Sequence, residues 1–139
     1  MNKILPSILA VMLLFGCTTS QKLQKFSKNS LVFGSGGGIT GATTEYILHY
    51  DGTVEKTNSL TKETSPVTKI AAKNSKTLFK EFLNDGLDTL KFSSPGNMSY
   101  FVGYKNDSVT QKILWGGDVA PPEKAKTFYD KLIQIINNL

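Results

Sequence analysis

The sequence predicts an α+β domain in which an antiparallel sheet of four to six strands packs against two helices on one of its faces. Three features predict this fold: two strand pairs with alternating apolar and polar residues, an Asp51-Gly52 turn, and two segments with apolar stripes at helical spacing. The short connections leave little room for the crossovers that parallel strands need. Residues 31–139 are predicted to form this single domain, since a chain of that length suits one hydrophobic core.

The first predicted hairpin follows a glycine-rich segment. A strand over 43–50 runs into Asp51-Gly52, which is typical of a tight turn between paired strands, and a return strand follows over 53–58. The polar residues 61–66 that come next are expected to form a loop.

Two helices and a second hairpin complete the predicted elements. The first helix covers 75–84 and ends before Gly86, and the second hairpin pairs 98–104 with 109–115. Pro121-Pro122 opens the last helix. Its apolar stripe consists of Ala125, Phe128, Tyr129, Leu132, Ile133 and Ile136.

The two hairpin-plus-helix segments resemble each other. The run 46–50 aligns with 100–104, and 76–79 aligns with 126–129, at offsets of about 50 residues. A duplicated strand-strand-helix unit would explain the match, and so would chance, because any two such units share these patterns. Both explanations stay open.

Alternation along the strands assigns side chains to the two sheet faces. Tyr46, Leu48 and Tyr50 share the face expected under the helices, where Trp115 is predicted to close the core. One helical cover leaves the second face open as a candidate partner-binding face. Its predicted residues are Ile47, His49, Phe101, Lys112 and Leu114.

The first residues have the features of an export signal. Lys3 provides a positive start, residues 4–15 are apolar, and Gly16 precedes Cys17. The apolar run is shorter than the about 20 residues that a spanning helix needs. We therefore expect residues 1–16 to be a signal peptide that is removed.

The stretch Leu14-Phe15-Gly16-Cys17 resembles the lipobox of bacterial lipoproteins, although Phe15 is bulkier than the residue usual there. The resemblance implies cleavage between Gly16 and Cys17 and a diacylglyceryl group on the Cys17 sulfur, which would attach the protein to a membrane. An ordinary secretory signal is the alternative. Thr18 in place of Asp favours an outer-membrane, periplasm-facing address in a cell with two membranes. Residues 17–30 are then expected to be a polar tether.

Composition narrows the possible partners. The net charge is +5, and all 16 cationic residues are lysine, so the guanidinium groups that read bases and phosphates are absent. Nucleic acid is therefore not an expected partner. Lys22, Lys25 and Lys28 lie where they could approach anionic headgroups, with a solvated linker as the alternative. No cofactor or metal is predicted, since the chain has one histidine and one cysteine.

The glycine cluster has two interpretations. Residues 36–41 match a dinucleotide-binding string, but a strand follows them, whereas that motif must open a helix. A bent hairpin is the simple interpretation. A loop presented to a partner is the other, formed by Gly36, Gly37, Gly38, Ile39, Thr40 and Gly41.

Catalytic groups are scarce in the sequence. Ser59 and Lys62 have the spacing of penicillin-binding enzymes but lie in a predicted loop without the companion motifs. His49 lies about 13 Å along the strand from Glu45, beyond hydrogen-bond reach. A carboxylate-dependent hydrolase would need Asp85, Asp88 or Glu45 to converge. No catalytic residue is predicted.

These features together predict a non-enzymatic, membrane-anchored module that binds an envelope protein or glycan. The domain is also similar to small envelope lipoproteins of unknown function. The motifs that carry the similarity are the hairpin 46–52, the run 95–97 and Trp115-Gly116. A protease-inhibitor-like module that presents residues 34–41, or the small hydrolase, would be the alternative function.

Overall fold

Six strands form one antiparallel sheet with helices on one face, which confirms the predicted fold class. A computed structural model of the protein describes the backbone of residues 17–139 and the side chains of residues 20–139. The predicted leader and the Cys17 side chain lie outside these residues. The elements are α1 (Cys17–Phe26), β1 (Ser30–Gly37), β2 (Ala42–Leu48), β3 (Thr53–Asn58), β4 (Thr64–Lys69), α2 (Ala72–Asn84), β5 (Met98–Lys105), β6 (Thr110–Trp115) and α3 (Glu123–Asn137).

The strand order is β4-β3-β2-β1-β5-β6. The two predicted hairpins are β2–β3 and β5–β6, and they lie on either side of β1. Each is followed by a helix, although β4 comes before the helix in the first case. Whether a duplication produced the two units stays a prediction.

The glycine-rich segment is part of the central strand. Gly34, Gly36 and Gly37 lie in β1, which pairs with β2 along one edge and β5 along the other. Only the turn from Gly38 to Gly41 leaves the sheet, and both of these glycines have positive φ. The predicted glycine-bent hairpin is therefore confirmed. The strand went unpredicted because glycine has a low strand propensity.

The predicted loop over 61–66 is wrong in its second half. Residues Thr64–Lys69 form β4, an edge strand that pairs with β3 and has mostly exposed residues. Backbone hydrogen bonds hold β4 on the sheet. Its sequence therefore shows no alternation of apolar and polar residues from which the strand could be predicted. Pro66, which has no N–H to donate, is tolerated at such an edge.

The segment predicted to be a polar tether is helical over its first ten residues. Residues Cys17–Phe26 form α1, and Phe26 is buried in the core between α2 and β5. Its ring centroid lies 5.8 Å from that of Phe82 and 5.1 Å from that of Tyr104. Two apolar residues, Leu23 and Phe26, three positions apart on a helix are enough to dock it. The sequence did not indicate this docking, because lysines and glutamines surround the two apolar residues.

The core lies between the helices and the tyrosine side of the sheet, as predicted. Leu48, Val102 and Ile113 project into it from the strands, and Phe79 and Phe128 from the helices. Trp115 is buried beside Tyr129, with ring centroids 5.2 Å apart, so its predicted role in closing the core is confirmed.

Hydrogen bonds at the element ends fix how the helices meet the sheet. The buried Ser75 hydroxyl donates to the His49 carbonyl at 2.8 Å, which ties the first turn of α2 to the end of β2. The Asp51-Gly52 turn is confirmed: Gly52 has φ +96° and its N–H donates to His49 O. The Thr53 N–H donates to the Asp51 carboxylate and holds the pKa of that group below its usual value.

The docking of α1 can be tested by truncating its buried ring. Phe26→Ala should lower the free energy of unfolding by about 3 kcal/mol, because it removes a packed aromatic side chain and leaves a cavity. Gln24→Ala, on the exposed side of the same helix, should change it by less than about 0.5 kcal/mol. Denaturant unfolding measures both. Equal small effects would mean that α1 does not belong to the folded unit.

Candidate binding surfaces

The five residues predicted for the open face do project from the same side of the sheet. Strand register aligns Val32 with Ile47 and with Gly103, which in turn aligns with Lys112. Gly34 aligns with Glu45 and Phe101, and Phe101 aligns with Leu114. His49 lies beyond Ile47 at the end of β2. Among the described residues, the strand side chains of the core under the helices all come from the opposite face.

Little of the apolar surface on this face reaches solvent. Ile47 and Phe101 are 5% and 3% exposed. The Lys112 Nζ lies 4.1 Å from the Phe101 ring centroid, so an ammonium group covers the ring. Leu114 is half-buried, and its backbone bonds to Phe92 and Ser94 along the outer edge of β6. A partner approaching this face would therefore meet charged groups first.

An ion cluster spans the middle of the face. The Glu45 carboxylate accepts from Lys112 Nζ at 2.6 Å and from Lys105 Nζ at 3.1 Å. Glu45 and Lys112 are separated by two strands, about 14 Å at the usual spacing. Gly34 lies on one of those strands, and a Cβ there would come within 3.1 Å of the Phe101 ring, so the missing side chain makes room for that ring under Lys112.

The lysines control the ionisation of Glu45. Burial by itself raises the pKa of this carboxyl group, but hydrogen bonds and charge from Lys112 and then Lys105 outweigh burial and hold the pKa below its usual value. The carboxylate is thus charged and doubly paired at neutral pH. It is not available as a general acid.

A second polar row lies at the end of the same face. The His49 ring bonds to Ser30 Oγ through Nδ1 at 3.1 Å and to Glu55 Oε2 through Nε2 at 2.8 Å. A neutral ring with its hydrogen on Nε2 would donate to Glu55 and accept from Ser30. The sequence could have placed Glu55 near His49, because the Asp51-Gly52 turn sets the register that aligns Ile47 with Glu55. Ser30 gave no signal, since β1 was not predicted from the sequence.

This row contains the residue types of a serine hydrolase but not their arrangement. In the standard triad the serine bonds Nε2 and the acid bonds Nδ1, which is the reverse of the order here. An oxyanion hole also needs free donors near the serine. From Leu31 onward the backbone of β1 is paired with both β2 and β5, so this part of the strand offers no such donors. The row is better explained as cross-strand pairing at the sheet surface.

The structure does not bring the candidate carboxylates together. Glu45 lies on the open face, whereas Asp88 pairs with Lys22 of α1 at 3.1 Å and Asp85 lies 3.9 Å from Lys124. Each therefore belongs to a separate ion pair. Within residues 17–139, no group of three His, Cys, Asp or Glu side chains is arranged to hold a metal ion.

Three exposed apolar side chains lie in the loops at one end of the sheet. Ile39, at the tip of the β1–β2 turn, is fully exposed, and Leu60 and Met98 are 63% and 42% exposed. Gly38 N–H donates to Asn97 O, and Ser59 N–H donates to Thr43 O, so the three loops lie side by side. We call Ile39, Leu60 and Met98 the tip surface.

The presented loop predicted from the glycine cluster is therefore shorter than expected. Gly36 and Gly37 are paired strand residues, while Gly38, Ile39, Thr40 and Gly41 form the exposed turn. Gly38 and Gly41 adopt positive φ, which directs the Ile39 side chain outward from a tight turn. Leu60 and Met98 were not predicted, because their exposure depends on which loops the sheet brings together.

Removing the Glu45 charge should reduce stability in a pH-dependent way. Glu45→Gln should cost about 1 to 2 kcal/mol at pH 7, a value discounted because both lysines are about one third exposed. Since the folded pKa is depressed, this contribution is present above the unfolded value near 4.5 and is lost as pH falls through the folded pKa. The free energies of unfolding of the parent protein and of Glu45→Gln should therefore become equal at low pH. Glu63→Gln, in the exposed β3–β4 turn, is the control; a constant difference at all pH values would contradict the charge argument.

The sequence matches no protein-family model and no curated protein. The lipobox resemblance at Cys17 therefore stays a prediction from the leader alone. Within residues 17–139, none of the helices is both long and apolar enough to cross a membrane.

Proposed function

We propose that this chain is a lipid-anchored envelope lipoprotein whose domain binds another envelope component, a protein or a glycan, without catalysing a reaction. In a cell with two membranes, the expected address is the periplasmic side of the outer membrane. The tip surface is the observation that carries the binding function. Its three side chains come from separate loops that meet at one end of the sheet.

The anchor is supported by the leader, whose apolar run ends at Gly16-Cys17. Cys17 precedes the buried Phe26 by nine residues. A diacylglyceryl group on that sulfur would therefore lie close in the chain to the residue that docks α1 on the core. Two acyl chains make anchoring stable where one is marginal.

The tip surface is well placed for a partner because it lies at the end of the sheet opposite the first residue of β1. Ser30 begins β1 directly after α1, whereas Ile39 lies beyond the other end of that strand. Exposed apolar side chains on neighbouring loops are typical of binding sites. The carboxylates that a hydrolase would need form ion pairs with lysines elsewhere in the domain. This pairing favours binding over a carboxylate-dependent reaction.

The protease-inhibitor-like alternative is supported by one observation, the full exposure of Ile39 on a tight turn. A protease would take that turn as a substrate mimic. Residues 34–37 are held in the sheet, so only the four turn residues would be offered.

The anchor is tested by replacing its attachment atom. Cys17→Ser should leave the precursor uncut and without lipid, because no thiol remains to accept the diacylglyceryl group. Mass spectrometry and detergent partitioning measure the change, with Ser20→Ala as a control that keeps the lipobox. Membrane association that is unchanged in Cys17→Ser would overturn the anchor.

The binding function is tested at the tip surface. Ile39→Asp should reduce in-cell crosslinking to the captured partner at least tenfold, or about 1.4 kcal/mol, because it places a charge in an apolar contact. Val67→Asp, at an exposed apolar position on the edge strand, is the matched control. Both variants should unfold like the parent chain. If Ile39→Asp captures the partner as well as Val67→Asp does, the tip surface is not the binding site.

A further inference from the structure

Two depressions flank α1, and lysines line both of them. The larger, about 750 Å³, lies between α1 and the β5–β6 loop and includes Lys22, Lys25 and Lys28. The smaller, about 370 Å³, lies beside the start of α2 and includes Lys73, Lys76 and Lys80 together with Leu23. We call these six lysines the lysine surface.

The geometry of both helices produces this surface. Leu23 and Phe26 face the core, so the polar side of α1 and its flanks face outward. Lys73, Lys76 and Lys80 are spaced three and four positions apart and therefore lie on one side of α2. The two rows of lysine come from segments that are about 50 residues apart in the chain, so the surface exists only in the folded domain.

The charge excess of the protein is concentrated here. The chain has 16 lysines and 11 acidic residues. Two acids, Asp88 and Asp107, line the larger depression, and none lines the smaller one. When these two acids, the six lysines and Lys3 of the leader are set aside, nine lysines and nine acidic residues remain, which cancel. The rest of the folded chain is thus neutral, while this surface carries the positive charge.

Most of these ammonium groups are free to meet a partner. Lys22 is paired with Asp88, which helps to hold α1 in place. Among the described residues, the salt bridges include none of Lys25, Lys28, Lys73, Lys76 and Lys80, and all five are exposed. Lys76 Nζ lies 5.7 Å from the Tyr50 ring centroid, which leaves its outer side open to solvent.

We propose that the lysine surface binds the anionic headgroups of the membrane in which the lipid on Cys17 is inserted. This inference rests on the proposed anchor, because the six lysines lie on or next to α1, the helix that contains Cys17. Lysine near an anionic leaflet is attracted to it, and one lipid signal combined with a basic patch strengthens anchoring. Docking here would turn the tip surface away from the membrane, toward a partner.

The test uses the full chain as isolated from membranes, reconstituted into vesicles of phosphatidylcholine with or without phosphatidylglycerol. Lysine acetylation followed by mass spectrometry reads each position. Lys25, Lys28, Lys73, Lys76 and Lys80 should react about fivefold more slowly on the anionic vesicles, and high salt should remove the difference. Reaction at three distant lysines should stay the same: Lys56, Lys62 and Lys126.

A charge variant separates the surface from the anchor. In Lys25→Gln/Lys73→Gln/Lys80→Gln, the protection of Lys28 and Lys76 should disappear, because too few charges remain to hold the surface on the headgroups. The control Lys56→Gln/Lys62→Gln/Lys126→Gln removes the same net charge elsewhere and should keep the protection. Both variants stay on the vesicles through their lipid, so only the orientation of the domain changes.

The outcomes distinguish this proposal from the anchor on which it rests. The mass of the peptide that begins at Cys17 reports the lipid independently of the lysine reactivity. If that lipid is absent, the protein is added to the same vesicles from solution. Protection of the lysines from acetylation then still supports headgroup binding by the lysine surface. Equal acetylation on neutral and anionic vesicles would overturn the proposal. Protection by a soluble acidic polysaccharide but not by vesicles would also overturn it, and would assign the surface to a glycan.

Discussion

The fold depends on the burial of β1 on both of its faces. Leu31 and Phe33 pack under the helices, and Val32, on the other side, is equally buried. Because β1 pairs with β2 and β5 at once, it joins the two hairpins into one sheet. Neither face of β1 is exposed to solvent. The charged side chains that pair on the open face therefore pass over this strand.

The ion cluster on the open face follows from that burial. The Phe101 ring lies over Gly34, and the long side chains of Glu45, Lys105 and Lys112 meet above the central strands. The ammonium group of Lys112 lies over the Phe101 ring and shields it from water. A sheet face without a helical cover is therefore closed by its own charged residues. The apolar residues of this face are therefore less exposed than the alternation along the strands suggested.

The two ends of the sheet carry different surfaces. At one end, α1 docks through Leu23 and Phe26 and carries lysines beside those of α2. At the other end, three loops expose Ile39, Leu60 and Met98. The rigid sheet between them fixes the distance and direction from one to the other. Anchoring at the first end and partner binding at the second are physically compatible, since neither uses the surface of the other.

The sequence by itself determined the hairpins, α2, α3 and the tyrosine-lined core, because alternation and helical spacing record which side of each element is buried. It also determined the Asp51-Gly52 and Gly38–Gly41 turns, where glycine's positive φ is needed. Only the tertiary structure decided the rest. β1 and β4 are held by backbone pairing, which glycine and polar residues do not reveal, and α1 docks through two side chains in a polar segment. The partners of Glu45 and His49 and the two lysine rows depend on register between strands and contact between helices that are distant in the chain, and no local pattern encodes these.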